Sequence, residues 1–252
     1  MPSKTLTTVP KISVKIWRPL LEKLDSKLER ACLRRDAYLS KVLAVELDHL
    51  DDEVSIPNSQ ASYDYIASRL DQLDRKLVSL AISPEMAARV NEICSRKKIV
   101  RDSFFNRLFL MLAASPKAID FLLFQDYEGD WRNHVWSDHN DDHLFFQNGF
   151  DPLGAAIDPF EATRCGIALM SKNEKFEDYV EPTSGKTIKV VREAAGGVVE
   201  PCPSFYTIEF DQKISGHDLA GLNCYLPNRS IPGTDAALAY RAKLDDILEA
   251  FL

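Results

Sequence analysis

The chain has 252 residues, a hydrophobic fraction of 45% and a formal net charge of −7, which bounds it to one or two globular domains with apolar side chains enough for a core. No apolar run reaches the roughly 18 residues of a membrane span, and five cysteines without a CxxC pair argue against a disulfide framework or a zinc knuckle. The charge is unevenly spread: counting Lys and Arg against Asp and Glu, residues 1–115 carry +4 and residues 116–252 carry −11.

In chain order, residues 1–10 read as a polar arm without the apolar core of a signal peptide, so a cytoplasmic protein is expected. Lys4 could add a phosphate contact. Ile12, Val14 and Ile16 alternate with polar residues and predict a strand over Lys11 to Trp17. A helix from about Pro19 to Ala31 presents Leu20, Leu21, Leu24 and Leu28 on one face. Asp36 is a candidate N-cap for a second helix. That helix should end near Leu50, because Asp48, Asp51, Asp52 and Glu53 oppose its dipole. Ile56-Pro57-Asn58-Ser59 is a loop, and a linker helix over 62–75 carries Tyr63, Ile66, Leu70 and Leu73 on one face. Val78, Leu80 and Ile82 predict another strand. Ser83-Pro84-Glu85 supplies an N-cap, an N1 proline and an acidic first turn. Met86, Val90 and Ile93 continue that helix to a basic cluster, Arg96, Lys97 and Lys98. Asp102 caps a further helix with Phe104, Phe105, Leu108 and Leu112 as its apolar stripe.

These elements form an internal repeat. Shifting by 66 residues without a gap brings Ile12, Val14 and Ile16 onto Val78, Leu80 and Ile82, and Leu20 and Leu24 onto Met86 and Val90. Arg35-Asp36 falls on Arg101-Asp102, and Tyr38, Leu39 and Val42 fall on Phe104, Phe105 and Leu108. Polar positions also agree: Ser13 with Ser79, Lys23 with Arg89, Ser40 with Asn106, Lys41 with Arg107. The segments ISVKIWRPLLEKL…LRRDAYLSKVL and VSLAISPEMAARV…IVRDSFFNRLF resemble the ribbon-helix-helix DNA-binding family. In that family two strands, usually from two chains, pair into an antiparallel ribbon that enters the major groove. The resemblance implies a single-chain pseudo-dimer over residues 1–115, with repeats at 11–47 and 77–113, and does not reach residues 116–252. One departure is that Cys32 and Lys98 stand in the inter-helix turn where the family often has glycine.

If Ile12, Val14 and Ile16 point inward, Lys11, Ser13 and Lys15 point outward; in the second strand the outward set is Leu77, Ser79 and Ala81. Lysine donates to guanine O6 and N7, serine serves either way, and a small apolar group touches a thymine methyl. The expected base-reading residues are therefore Lys11, Ser13, Lys15, Ser79 and Ala81. Free amides at the starts of the second helices bind anions, so Arg34, Arg35, Lys98 and Arg101 beside them are the expected phosphate contacts.

The remaining residues predict an acidic, mixed α+β C-terminal domain, and α+β for the chain as a whole. A helix should run from Ser115-Pro116 to about Phe124, strands should lie at Gly166–Met170, Thr187–Val191, Phe205–Phe210 and Leu222–Leu226, and a last helix should follow Thr234-Asp235. His134, Asp138, His139, Asp141, Asp142 and His143 are dense in possible ligands but match no zinc spacing, and read as a polar loop. Cys202 and Cys224 with His217, Ser215-Gly216-His217-Asp218 and Gly196-Gly197 form no catalytic motif. The expectation is a non-enzymatic, sequence-specific binder of double-stranded DNA without cofactor or metal, most simply a bacterial-type transcriptional regulator. Its acidic half would self-associate or bind a protein. Alternatives are an accessory protein of plasmid transfer or partition, and an antitoxin-like protein.

Overall fold

The computed structural model describes residues 11–115, and beyond them 118–119, 122–123, 158–170, 176–180, 185, 187–192, 199–210, 213–214 and 216–226. Strand β1 (Lys11–Trp17) leads into α1 (Arg18–Arg30) and α2 (Arg35–Glu53). Linker helix α3 (Gln60–Leu70) then precedes β2 (Arg75–Ala81), α4 (Pro84–Arg96) and α5 (Arg101–Ala113). The order strand, helix, helix thus occurs twice, and α4 and α5 begin 66 residues after α1 and α2. β1 and β2 pair antiparallel as an isolated two-stranded sheet. In its register Ser13 lies opposite Ser79, its own counterpart in the repeat, so a pseudo-two-fold axis passes through that pair.

Local chemistry accounts for most of the boundaries. Ser83 accepts a hydrogen bond from the Met86 amide and Pro84 fills the first turn, so α4 starts where its sequence says it should. Ser59 caps α3 in the same way through the Ser62 amide. Both turns between paired helices are Schellman closures. The Cys32 amide donates to the Glu29 carbonyl and the Leu33 amide to that of Leu28, and Lys98 and Ile99 repeat this on Ser95 and Cys94. Cys32 (φ 56°) and Lys98 (φ 50°) hold the left-handed conformation that glycine would adopt at lower cost.

Two expected caps are corrected. Arg34 and Val100 are the N-cap residues of α2 and α5 and neither caps through its side chain; Asp36 and Asp102 sit inside the first turn, where their charge still complements the helix dipole. The acidic exit of α2 does not end the helix at Leu50. Lys97 donates to the Asp51 and Val54 carbonyls at 2.6 and 2.5 Å, Arg96 pairs with Asp51 at 2.6 Å, and Arg164 pairs with Glu53 at 2.6 Å. These cations offset the unfavourable end charge and carry α2 through Glu53.

The described apolar residues make one buried cluster, from Ile12 and Val14 of the ribbon through α1, α2, α4 and α5 to Phe160, Phe205, Tyr206, Phe210 and Leu222. Buried contacts therefore cross the boundary expected near 115–125. Helix α5 is buried along its whole length from Ser103 to Ala113. On its side away from the ribbon, Arg107 donates to the Phe205 carbonyl and places its guanidinium 4.2 Å from the Phe210 ring centroid. Ser103 donates to the Asn223 carbonyl. The Asn58 amide nitrogen ties the Lys98 and Cys224 carbonyls together at 3.1 and 3.0 Å. Gly221, in a short 3₁₀ turn (Ala220–Leu222), abuts α3 so closely that a β-carbon there would lie 2.7 Å from the Leu70 nitrogen.

Beyond α5 the sequence reading holds at one place and fails at three. The strand expected at Thr187–Val191 is β4 (Thr187–Arg192), between β3 (Phe176–Val180) and β5 (Val199–Pro201). The strand expected at Gly166–Met170 is instead part of helix α6 (Glu161–Met170), with Phe160, Thr163 and Ile167 buried at helical spacing. Asp158 opens it by accepting from the Phe160 amide. Phe205–Phe210 is a turn, closed by Ser204 and Thr207, whose aromatics are all buried rather than alternating. Leu222–Leu226 follows the 3₁₀ turn as irregular chain. Short strands β6 (Lys213–Ile214) and β7 (His217–Asp218) complete the described part. The helix expected after Ser115 lies largely outside the described residues; the last helix and the His134–His143 stretch lie wholly outside them. Among the described residues no helix is long and apolar enough to cross a membrane.

Candidate nucleic-acid interface

One face of the β1–β2 ribbon packs on the helices and the other faces outward. Ile12, Val14, Val78 and Leu80 are buried, while Lys11, Ser13, Lys15, Leu77 and Ser79 are exposed and Ala81 is half-buried. The outward face therefore holds three cross-strand pairs: Lys15 with Leu77, Ser13 with Ser79, and Lys11 with Ala81. Leu77 is 63% exposed, one of two large hydrophobic side chains so exposed among the described residues. Strand parity alone would turn Lys76 inward with Val78; at the end of the ribbon, opposite Ile16, it is exposed instead and adds a cation that the sequence reading did not select.

β1 is anchored at its free edge by α5. Asn106 donates to the Lys15 carbonyl at 2.8 Å and accepts from the Trp17 amide at 2.8 Å. The Arg101 guanidinium donates to the Ser13 carbonyl at 2.9 Å. These bonds satisfy backbone groups that an edge strand would otherwise present to solvent, and they fix the strand bearing Lys11 and Lys15. The repeat-related Ser40 and Arg35 bond elsewhere, to the Asp36 carbonyl and the Asp25 carboxylate. At the far end of the ribbon Arg18 pairs with Asp74 at 2.8 Å, its amide donating to the Asp74 carbonyl at 2.9 Å.

The four expected phosphate contacts fall into two pairs. Arg34 is exposed at the start of α2, and Arg35 beside it is held by both Asp25 oxygens at 2.9 Å. At the start of α5, Arg101 is bonded to the neutral Asn91 side chain at 3.1 Å and to Ser13, so its charge is not cancelled. Lys98 is exposed one turn away. The α5 start opens onto a cleft of about 590 Å³ walled on one side by Gln60 and Tyr63 of α3.

A second polar cluster lies inside the molecule. Glu46 of α2 is fully buried and takes a bidentate pair from Arg164 of α6 at 2.9 and 3.0 Å, plus the Tyr206 hydroxyl. The same guanidinium reaches Glu53 at 2.6 Å and Asp158 at 3.1 Å. Burial raises the Glu46 carboxyl above its ordinary range, while Arg164 and Tyr206 pull it down. Burial likewise raises the Tyr206 hydroxyl. Glu46, His49 and Asp158 come within ligand spacing of one another, but Arg164 already occupies the carboxylates, and the arrangement is that of an ion-pair network joining α2 to α6. The sequence reading missed it because its two halves, Glu46 and Glu53 on one side and Asp158, Arg164 and Tyr206 on the other, lie more than a hundred positions apart. No disulfide joins the described cysteines, and burial pushes the Cys94 and Cys224 thiols up to about 12, away from nucleophilic character.

No family model matches this chain, and neither a curated protein nor a solved structure does.

Proposed function

We propose that the chain is a sequence-specific double-stranded DNA-binding protein of tandem ribbon-helix-helix type, reading the major groove with the outward face of the β1–β2 ribbon. The observation that carries this is the ribbon itself. Two strands from one chain pair about a pseudo-two-fold axis at Ser13 and Ser79, and their outer face carries lysines, serines and an exposed leucine with nothing packed on them among the described residues. A two-stranded ribbon fits a major groove about 12 Å wide. Leu77 would be unfavourable in water but suited to a thymine methyl. In this reading Lys11, Ser13, Lys15, Ser79 and Ala81 meet base edges, Lys15 supplying most of the discrimination, while Arg34, Arg35, Lys98 and Arg101 supply phosphate contacts or hold the strands that make base contacts. The acidic residues of the C-terminal half stay off the DNA by charge, leaving that half to assembly or a protein partner. Transcriptional regulation is the role this best suits.

The test is binding of the intact chain to duplex DNA across a salt series, with a single-site Lys15→Ala variant. Selective binding should weaken steeply with salt, and the variant should lose about 1–3 kcal/mol of discrimination. Absence of duplex binding at low salt would refute the reading.

A further inference from the structure

The two flanks of the ribbon are unlike in a way the repeat alone would not suggest. On the α5 flank the 590 Å³ cleft is bounded by Asn91, Ser95, Lys98, Arg101 and Asp102 together with Gln60 and Tyr63 of the linker helix, Asp102 being matched by Asp36 on the other flank. Shifting back by 66 residues puts Asp25 in place of Asn91, Glu29 in place of Ser95 and Cys32 in place of Lys98. The α2 flank therefore has two carboxylates where the α5 flank has neutral groups, and its turn cation is Arg34, where the α5 flank has Val100. The difference extends to the paired arginines. Arg35 is neutralised by Asp25, whereas among the described residues Arg101 is bonded to the neutral Asn91 and Ser13 groups. The Lys98 ammonium meets no carboxylate among the described residues, and Lys98 accepts a left-handed backbone to stand there. The linker helix is the third difference, with no counterpart among the described residues.

On these observations, and resting on the proposed DNA binding, we infer that the protein grips the DNA backbone unequally, more tightly on one flank: the cleft between α3 and the α4–α5 turn receives a phosphate of the strand alongside β1, with Lys98 and Arg101 as its cations and Ser95 as a neutral donor, the Gln60 amide being already bonded to Asp64 at 2.9 Å. On the α2 flank Asp25 is paired with Arg35 and Glu29 stands in place of Ser95, which leaves Arg34 as the cation of a weaker contact. Lys11 and Lys15 lie on the same strand that Arg101 anchors, so base contact and the tighter backbone grip fall on one side and the complex is polar along the duplex.

The experiment is phosphate-ethylation interference with the intact protein on a selected site, alongside affinity and salt slope for Lys98→Gly, Ser95→Glu and Gln60→Glu. Wild type should show stronger interference at phosphates on the α5 flank than on the α2 flank. Lys98→Gly should weaken binding about three- to tenfold and lower the salt slope by about one ion, while raising thermal stability by relieving the left-handed turn. A merely structural lysine would move binding and stability in the same direction. Ser95→Glu and Gln60→Glu, which bring carboxylates to the cleft, should abolish that flank's interference and keep the base preference. Equal interference on both flanks, or variants indistinguishable from wild type, would overturn this inference and leave the proposed function standing. No DNA binding by the wild-type chain would overturn both.

Discussion

At the scale of single residues the energetics turn on groups held in costly states. Cys32 keeps a φ of 56° to close the turn between α1 and α2, and its side chain is exposed. Cys32→Gly should therefore stabilise the chain by about 1 kcal/mol, read as a higher urea midpoint; a lower midpoint would mean the thiol has a role that its exposure does not suggest. Glu46 is costlier. Removing Arg164 by Arg164→Ala leaves a buried carboxylate facing Glu53 and Asp158, and should cost about 3–5 kcal/mol; adding Glu46→Gln should recover part of it. The same carboxyl predicts a pH dependence. Its value in the folded state is raised, so its contribution is present below the ordinary carboxylate range and is lost as pH rises through the raised value. The stability of wild type relative to Glu46→Gln should fall as pH climbs, in denaturant titrations at a series of pH values, and a relative gain would mean that Arg164 outweighs burial.

At the scale of elements, β1 is a strand held by side chains of a distant helix. Asn106→Ala breaks the bonds to the Lys15 carbonyl and the Trp17 amide, and should raise hydrogen exchange at the Trp17 amide well before global unfolding. Unchanged protection there would show that pairing with β2 suffices. The repeat was legible in the sequence because period-2 and period-3.6 patterns recur at one constant offset, and the strand of Lys11–Trp17 and the Ser83 cap came with it. What the repeat concealed was burial. Lys41 and Arg107 are matched basic positions, yet Lys41 is exposed and Arg107 fully buried beneath Phe205 and Phe210, because only α5 is covered by the later chain. Short apolar runs were illegible for a related reason. Gly166–Met170 and Phe205–Phe210 are hydrophobic on more than one side, so no period separates strand from helix or turn, and their conformations are decided by partners such as Glu53 and Glu46 far away in sequence. The caps at Asp36 and Asp102 were misplaced because an acidic first turn and a cap look alike in sequence.

For the whole molecule the decisive property is asymmetry. The net charge of −7 conceals a basic N-terminal half and an acidic remainder, and Lys11, Lys15, Lys76, Lys98 and Arg101 of the former lie at the ribbon and the start of α5. Because no metal ligand set free of an arginine is found among the described residues, a chelator should leave DNA affinity unchanged; a chelator-dependent change would promote the Glu46–His49–Asp158 group or the residues near His134 to an effector site. The central claim is that the outward ribbon face reads bases unequally from its two strands. In the outward pairs β1 offers Lys11, Ser13 and Lys15 and β2 offers Leu77, Ser79 and Ala81, with Lys76 only at the ribbon's end opposite Ile16, so the lysines that face guanine edges within those pairs come from β1. Binding-site selection with the intact chain, repeated with Lys15→Ala, tests this most directly. The account predicts a non-palindromic motif with its strongest guanine preference on one side, relaxed at that position in the variant. A perfectly symmetric motif under one protein chain, or an unchanged motif for Lys15→Ala, would contradict it.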